Sequence, residues 1–457
     1  MEEYAAMSDR DWHGPVLAGG ERIAAPVQGR NPAAWPGYTP RTAVSAWRLS
    51  RAIVASWDFS VYGGSFGEDD ATVLEAAARA AVAERLPLVT LVRSGGTRLQ
   101  EGMAALVGIP RARLALLELA RAGLAHLSVA DAPTTGGVWI SVASAADFRV
   151  AVEGATVAFA GPRVVEAFTG TLPPPESHTA ESAYAAGLVD ALLPGDEVPG
   201  WLGGVLTALT PEPADIAPAP AVEVPLRSGW EQVQAARART TGGAALLAEL
   251  LTDRVDLRAA GGDETVAAGL GRLGGRPVIG VALAAQLGGR PTPNGYRLAA
   301  RAYRLADRLG LPILSLVDTP GADPGTASEE GGIAPAMGEA LDALLSCASP
   351  TLALVHGEGG SGGALAAAVA DVVLMTPDSY FAAIGPEGAA AALRRPAEEC
   401  ADLMRVGPAE LLQLGFADAI VAPAAVREHL ARLSALSPDE RIAGRAGRWG
   451  LALSGYL

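Results

Sequence analysis

The sequence contains no lysine, so all 35 of its basic residues are arginine. That absence excludes a phosphate-gripping P-loop, whose motif needs a lysine. It also excludes Schiff-base chemistry and any prosthetic group attached through a lysine amide. Cysteine is nearly as scarce: Cys347 and Cys400 are the only two, and neither has Cys or His neighbours at metal-ligand spacing. No metal is expected in this chain. Histidine occurs five times and aromatic residues make up 5% of the chain. The net charge of −15 argues against nucleic acid as a partner. No run of about 18 apolar residues is present, so no membrane span is expected. The opening Met1-Glu2-Glu3 lacks the basic-then-apolar pattern of a secretory signal, and a cytoplasmic location is expected.

What is abundant is glycine, 55 residues in a chain of 457 that is 50% hydrophobic. The most informative stretch is Thr351 to Asp371, T-L-A-L-V-H-G-E-G-G-S-G-G-A-L-A-A-A-V-A-D. It reads as a strand over Leu352 to His356, a glycine-rich turn (Gly357, Gly359, Gly360, Gly362, Gly363) and an alanine-rich helix. Such an order presents unpaired backbone N–H groups at a helix start. Glycine lets an oxygen approach them closely, because no Cβ intervenes. The arrangement stabilises negative charge, and with no lysine nearby an oxyanion hole is the use it suits.

Residues 1 to about 40 are rich in Pro, Gly and charge, and are expected to form an extended arm. Beyond them strands alternate with helices: a strand over Arg51 to Phe59, a helix over Asp70 to Arg85, strands at Leu88 to Val92 and His126 to Ala130, a helix over Ile109 to Gly123, and another after Gly136-Gly137. This alternation predicts an α/β fold. A proline-rich break at 211–225 predicts a linker between two units, 41–210 and 226–457. The second half repeats the first. Leu86-Pro87-Leu88 matches Leu311-Pro312-Ile313, Gly95-Gly96 falls against Pro320-Gly321, and Gly136-Gly137 against Gly362-Gly363. Ala146-Asp147 matches Ala370-Asp371, and Gly161-Pro162 matches Gly385-Pro386. A nearly constant offset across five landmarks predicts a duplicated domain with two glycine turns. His126 and His356 sit in corresponding strands and read as core histidines. Glu358 reads as a capping residue inside the turn and Asp318 as a turn former.

These motifs resemble the carboxyltransferase component of biotin-dependent acyl-CoA carboxylases, over about residues 45 to 425. The first half is similar to the β-type subunit through Gly63-Gly64-Ser65, Ser94-Gly95-Gly96-Thr97-Arg98, Thr134-Thr135-Gly136-Gly137-Val138 and Phe159-Ala160-Gly161-Pro162-Arg163. The second is similar to the α-type subunit through Pro293-Asn294-Gly295-Tyr296-Arg297, Asp318-Thr319-Pro320-Gly321-Ala322, Gly359-Gly360-Ser361-Gly362-Gly363-Ala364-Leu365 and Pro386-Glu387-Gly388. The resemblance implies two tandem crotonase-like domains, in ββα superhelices. It implies that an acyl-CoA thioester carbonyl rests on the amides of Gly136 and Gly137, and the ureido oxygen of carboxybiotin on those of Gly363 and Ala364. Ser94, Gly95, Gly96, Arg98, Phe159 to Arg163, Pro320, Gly321, Gly359, Gly360, Gly362, Leu365, Pro386 and Glu387 would line the pockets. The carboxyl group would pass to the α-carbon through an enolate, giving malonyl-CoA from acetyl-CoA. Implied partners are a separate biotin carboxyl carrier protein, a biotin carboxylase and at least one further copy of this chain.

The chain departs from the family pattern at Asp323, at Glu329-Glu330-Gly331-Gly332-Ile333, and in lacking the four-cysteine zinc ribbon of β-type subunits. Two other readings therefore stay open: a biotin-independent decarboxylase of a malonyl thioester, and a non-catalytic structural subunit.

Overall fold

A computed structural model describes residues 12–213 and 218–450. The chain divides into two compact units, one ending at Leu206 and one beginning at Thr207. The expected linker carries no helix or strand over 211–213 and 218–225, and 214–217 lie outside the described residues.

Each unit is built on one eight-stranded sheet. In the first, β1 (Glu21–Ile23), β2 (Val44–Arg48) and β3 (Ile53–Trp57) pair antiparallel. Then β4 (Leu88–Ser94), β5 (His126–Thr135), β6 (Phe148–Val152) and β8 (Ala191–Leu193) continue in parallel, and the short β7 (Val157–Ala158) pairs with the end of β5. The second unit repeats this order with β9 (Thr252–Leu257), β10 (Val266–Leu273), β11 (Arg276–Leu283), β12 (Ile313–Thr319), β13 (Thr351–Gly360), β14 (Val372–Met375), β15 (Tyr380–Ala382) and β16 (Ala419–Ile420). Parallel strands buried on both faces read as unbroken apolar runs, and all seven residues of β12 are buried.

The helices that cross between parallel strands also correspond. Glu68–Glu84 has three acids in its first turn, which suits the positive end of a helix dipole, and it stops at Arg85 in the left-handed conformation. Pro293–Leu309 begins with proline in its first turn and stops at Gly310, φ 67°. Position 88 corresponds to 313, 126 to 351 and 68 to 293, a shared offset of 225. On one face of the first sheet, Trp57, Phe66, Leu74, Leu88, Val92 and Leu119 close a core with alanines of the helices. Alanines on the helices, among them Ala71, Ala77, Ala78 and Ala112, allow close helix–sheet approach.

The N-terminal arm differs from expectation in its described part. β1 pairs with β2, and Trp12 and His13 are buried. Trp12 Nε1 donates to Asp131 at 3.0 Å, 119 residues away in sequence. A proline- and glycine-rich composition signals an absence of regular local structure, but gives no sign of such a distant anchor. Residues 1–11 lie outside the described residues.

Candidate functional site: two glycine bends

In each unit two parallel strands end side by side and their following loops touch. In the first, β4 ends at Ser94 and the chain bends through Gly95 and Gly96, φ 106°. The Ser94 hydroxyl accepts the Gly96 N–H at 3.1 Å. β5 ends at Thr135, Gly136 takes φ 64°, and a helical turn starts. The two bends are so close that a Cβ on Gly136 would lie 3.1 Å from the Gly96 Cα. The second unit repeats this with Thr319, whose hydroxyl accepts the Gly321 N–H at 3.2 Å. Gly321 has φ 134° and Ser361, after the end of β13, has φ 60°.

The structure corrects the sequence pairing by one residue. β5 and β13 each hold ten residues, 225 apart, and each is followed by one left-handed residue. Gly136 therefore corresponds to Ser361, and Gly137 to Gly362. The offset falls to 224 at β6 and β14. The difference arises because Trp139–Ala143 winds as a π-helix, whereas Ser361–Ala368 is α-helical. A π-turn holds one extra residue.

A second correction concerns the glycine run itself. Gly357, Gly359 and Gly360 belong to β13 and do not form a turn. They are glycine because neighbours press on the strand. A Cβ on Gly359 would lie 2.3 Å from the Phe381 ring, and one on Gly360 would lie 2.1 Å from the Pro320 carbonyl oxygen. Only Ser361 makes the bend.

The free donors can now be assigned. The Gly136 N–H donates to the Phe159 carbonyl at 3.0 Å, so it is engaged, contrary to its expected role. Among the described residues no acceptor is recorded for the N–H groups of Thr97 and Gly137, or of Ala322, Gly362 and Gly363. Thr97 and Ala322 are equivalent, one residue past each glycine bend. Sequence reasoning missed both, although each directly follows a glycine that it singled out. A cavity of about 380 Å³ opens beside the first bend, lined by Gly95, Thr97, Thr135, Gly161 and Pro162 among others. One of about 800 Å³ opens beside the second, lined by Gly321, Ala322, Gly362, Gly363, Leu365 and Glu387 among others. Pro320, also expected there, lines it too.

Several expected lining residues lie elsewhere. Ser94 and Ala364 are wholly buried beneath the bends. Arg98 has no exposed surface: it pairs with Asp70 at 2.6 Å and with Glu101 at 3.2 Å, so it braces the loop from within and does not meet a ligand. Gly96, Phe159, Ala160, Arg163, Gly359, Gly360 and Pro386 do not line either cavity. Phe159 instead contributes its carbonyl to Gly136. Glu358 is a strand residue, not a cap; its carboxylate accepts from Arg237 and from the Tyr380 hydroxyl, both at 2.9 Å. Asp318 is likewise a buried strand residue, accepting the Glu358 N–H at 3.0 Å. Arg237, which the sequence did not flag, also bonds Glu387 at 2.6 Å and lines the larger cavity. That hydrogen bond holds the Glu387 carboxyl below its ordinary range. The two departures from the family pattern, Asp323 and the 329–333 segment, contribute Asp323, Glu329 and Ile333 to the same wall.

His356 and His126 are both buried and bonded within the protein, His126 to the Thr90 hydroxyl at 3.0 Å. Neither lines a glycine-bend cavity. Among the described residues, Arg237, Arg290, Asp323, Glu329 and Glu387 bring charged side chains to the second cavity, and Tyr62, Ser65, Thr97, Gln100, Thr135 and Thr156 bring polar ones to the first. The unengaged amides suit an oxyanion, and neither histidine is placed to act as a base beside them.

Two units of this topology, each opening a helix on a bend with unengaged amides, define a tandem crotonase-like protein. The family model described as acetyl co-enzyme A carboxylase carboxyltransferase-like matches residues 227–437. A protein of Salinispora tropica named acetyl-coenzyme A carboxylase carboxyl transferase subunits beta/alpha is 38% identical over 424 residues, covering 85% of this chain and 74% of that protein. The probable biotin-dependent acyl-coenzyme A carboxylase beta3 subunit of Mycobacterium bovis is 36% identical over 386 residues, covering 81% and 77%. A solved transcarboxylase 12S core shares the fold, with a TM-score of 0.81 over 94% of this chain and 90% of that one at 23% identity. The chain belongs to the carboxyl transferase family of biotin-dependent acyl-CoA carboxylases, and it is an enzyme of carboxyl transfer.

Proposed function

We propose that this chain, with β-type and α-type halves fused, transfers a carboxyl group from biotin on a separate carrier protein to the α-carbon of acetyl-CoA. The observation that carries this reading is the pair of equivalent bends with unengaged amides: Thr97 on the wall of the first cavity with Gly137 next to the bend, and Ala322, Gly362 and Gly363 on the wall of the second. In the first unit the amides of Thr97 and Gly137 hold the thioester oxygen while the α-carbon carries enolate character. Backbone donors fixed before the reaction need no reorganisation as charge develops, and each is worth about 10²–10³ in rate. In the second unit the amides of Ala322, Gly362 and Gly363 face the larger cavity. The biotin ring fits there, since its ureido oxygen needs such donors, and a Cβ on Gly363 would strike the Ala322 nitrogen at 2.4 Å and close the cradle. When bound, biotin supplies the carboxyl group. The carrier must be another protein, because biotin is attached to lysine and this chain has none.

A second copy of the chain is the partner we infer for the apolar side of the first unit. Met103, Leu106 and Val107 on the helix Met103–Arg121 are exposed, together with Ile140, Phe159 and Phe168. Exposed apolar side chains in such number mark an interaction surface. A biotin carboxylase and a biotin carboxyl carrier protein complete the proposed set of partners. A cytoplasmic location accords with this chemistry; among the described residues no helix is long and apolar enough to cross a membrane.

The test is carboxyl exchange. Purified protein supplied with malonyl-CoA and free biotin is expected to release acetyl-CoA only when biotin is present. Release at the same rate without biotin, or none with it, overturns the reading.

A further inference from the structure

The second unit contains another cavity, of about 730 Å³, that shares no lining residue with the one at the glycine bend. His356, Thr376, Arg239 and Arg427 are on its wall. His356 is 3% exposed and Thr376 7%. They extend from neighbouring parallel strands: Val355 and Met375 are register partners, and His356 and Thr376 follow them.

The proton on His356 can be placed. Arg239 donates from Nη1 to Nδ1 at 2.7 Å and pairs through Nη2 with Asp318 at 2.6 Å. Burial, reinforced by the nearby guanidinium, lowers the imidazole pKa to about 3, so the ring is neutral. With Nδ1 accepting, the ring proton sits on Nε2. Nε2 finds no partner among the described residues, and neither does the Thr376 hydroxyl. Buried donors left without acceptors are rare and costly.

The first unit closes the same place with its own residues. Asp131 occupies the position equivalent to His356, and Arg93 that of Asp318. Arg93 bonds Asp131 at 2.5 Å, Trp12 donates to it at 3.0 Å, and His13 lies 3.5 Å from it. In the second unit Arg239, 117 residues before His356, takes the place that Trp12 and His13 take before Asp131, but it engages Nδ1 alone and, among the described residues, leaves Nε2 without a partner on a cavity wall.

We propose that this second cavity binds a small molecule bearing an oxyanion, a carboxylate or a phosphate, held by the His356 Nε2–H and the Thr376 hydroxyl. Arg427, exposed on the rim and without an ion pair among the described residues, supplies the charge. The other charges on the wall are largely balanced: Arg239 by Asp318, and Asp378 by Arg227 at 2.7 Å. Glu249, exposed on the rim, disfavours highly charged ligands, so a monoanion suits the site.

Calorimetric titration of the full chain separates the two chemistries, with propionate in one arm and inorganic phosphate in the other. One arm is expected to show saturable binding at one site per chain. Thr376→Val and Arg427→Ala should each weaken it by about tenfold, the scale of a lost hydrogen bond to a charged group. Gly363→Val, which fills the other cavity, should leave it unchanged. Arg427 is exposed, so its variant remains informative if Thr376→Val fails to fold. The proposal is overturned by absence of binding in both arms, by binding that survives both substitutions, or by binding lost in Gly363→Val.

Discussion

The two units share a scaffold but pack their bends against different things. A Cβ on Gly137 would lie 2.6 Å from Cδ1 of Ile109, the end of a flexible side chain. One on Gly363 would lie 2.4 Å from a main-chain nitrogen and 3.1 Å from the Gly321 carbonyl carbon. A side chain can rotate away, whereas main chain two and three residues past the end of β12 cannot move without shifting the bend. Gly137 therefore tolerates a small intrusion that Gly363 does not, while at Gly362, the position equivalent to Gly137, a Cβ would meet only Met337 Cε at 3.6 Å. Gly363→Val should reduce biotin-dependent exchange by about 10³-fold or more, since it displaces more than one donor. Gly137→Ala should cost only about tenfold, less than removal of one donor. Both are read as initial rates with free biotin and malonyl-CoA. Equal losses would show that the Ile109 side chain yields no more readily than the main chain at Ala322, and near-normal rates in both would remove the oxyanion account.

Buried charge gives the next contrast. Arg98 corresponds in position to Asp323, and Asp70 to Gly295. The first unit thus ties its loop with a fully buried ion pair, while the second uses the partly exposed Asp323, bonded to the Ser328 hydroxyl. Removing one partner of a buried pair leaves an uncompensated charge. Arg98→Met should destabilise the first unit by about 3–5 kcal/mol. Asp323→Ala should cost about 1–2 kcal/mol, the low end of the scale for a hydrogen bond to a charged group, because the carboxylate is partly exposed. Denaturant unfolding followed separately for each unit measures both, and a small loss in Arg98→Met would contradict the bracing role.

Arg98 also shows where the sequence stopped being legible. The duplication was visible because turn and strand signals recur at one spacing, and strand order follows from the alternation of elements. Whether an arginine in a glycine-rich loop faces a ligand or a buried aspartate depends on Asp70, 28 positions earlier on a helix, which periodicity cannot aim at it. The one-residue slip at Gly136-Gly137 was hidden for another reason: a π-turn has no composition of its own, so two glycine pairs matched by identity while the backbone matched Gly136 to Ser361. The strand glycines of β13 looked like a turn because local propensity sees the missing Cβ and not the Phe381 ring or the Pro320 carbonyl that requires it. Thr97 and Ala322 carry no compositional signal at all; only their place after a left-handed glycine marks them.

The exchanged charges at Asp131 and His356 separate the units in acid. His356 is held neutral to about pH 3, while the unfolded chain protonates its histidines near their ordinary value. As pH falls from about 6.5 towards 3 the unfolded state binds the extra proton, and stability is lost. For Asp131, burial works to raise the carboxyl, but the His13 hydrogen bond, Arg93 and the Ala132 amide outweigh it and hold the group below its ordinary range. Its contribution is present above the ordinary carboxylate range and is lost only as pH falls through its lowered value. Between pH 6.5 and 5 the second unit should therefore weaken by on the order of 2 kcal/mol from His356 alone, at about 1.4 kcal/mol per unit. His356→Gln should flatten that slope, and Asp131→Asn should not. Matching slopes in wild type and His356→Gln would show that the buried ring is not held neutral.

The smallest contrast is at the bend residue itself. Gly136 and Ser361 hold nearly the same left-handed conformation, with φ of 64° and 60°. Glycine adopts it without steric cost, whereas serine carries a Cβ that is pushed towards the following carbonyl, at roughly 1–2 kcal/mol. Glycine also gains freedom when unfolded, which offsets part of the relief. Ser361→Gly should thus stabilise the second unit by about 0.5–1 kcal/mol and leave exchange within about threefold, because the donors at Gly362 and Gly363 keep their positions. The reverse change meets both penalties, since a Cβ on Gly136 would lie 3.1 Å from Gly96 as well as in the left-handed region. Gly136→Ser should lose about 1–2 kcal/mol and slow exchange as the first bend opens. If both substitutions moved stability in the same direction, conformational strain would not be what distinguishes the two bends.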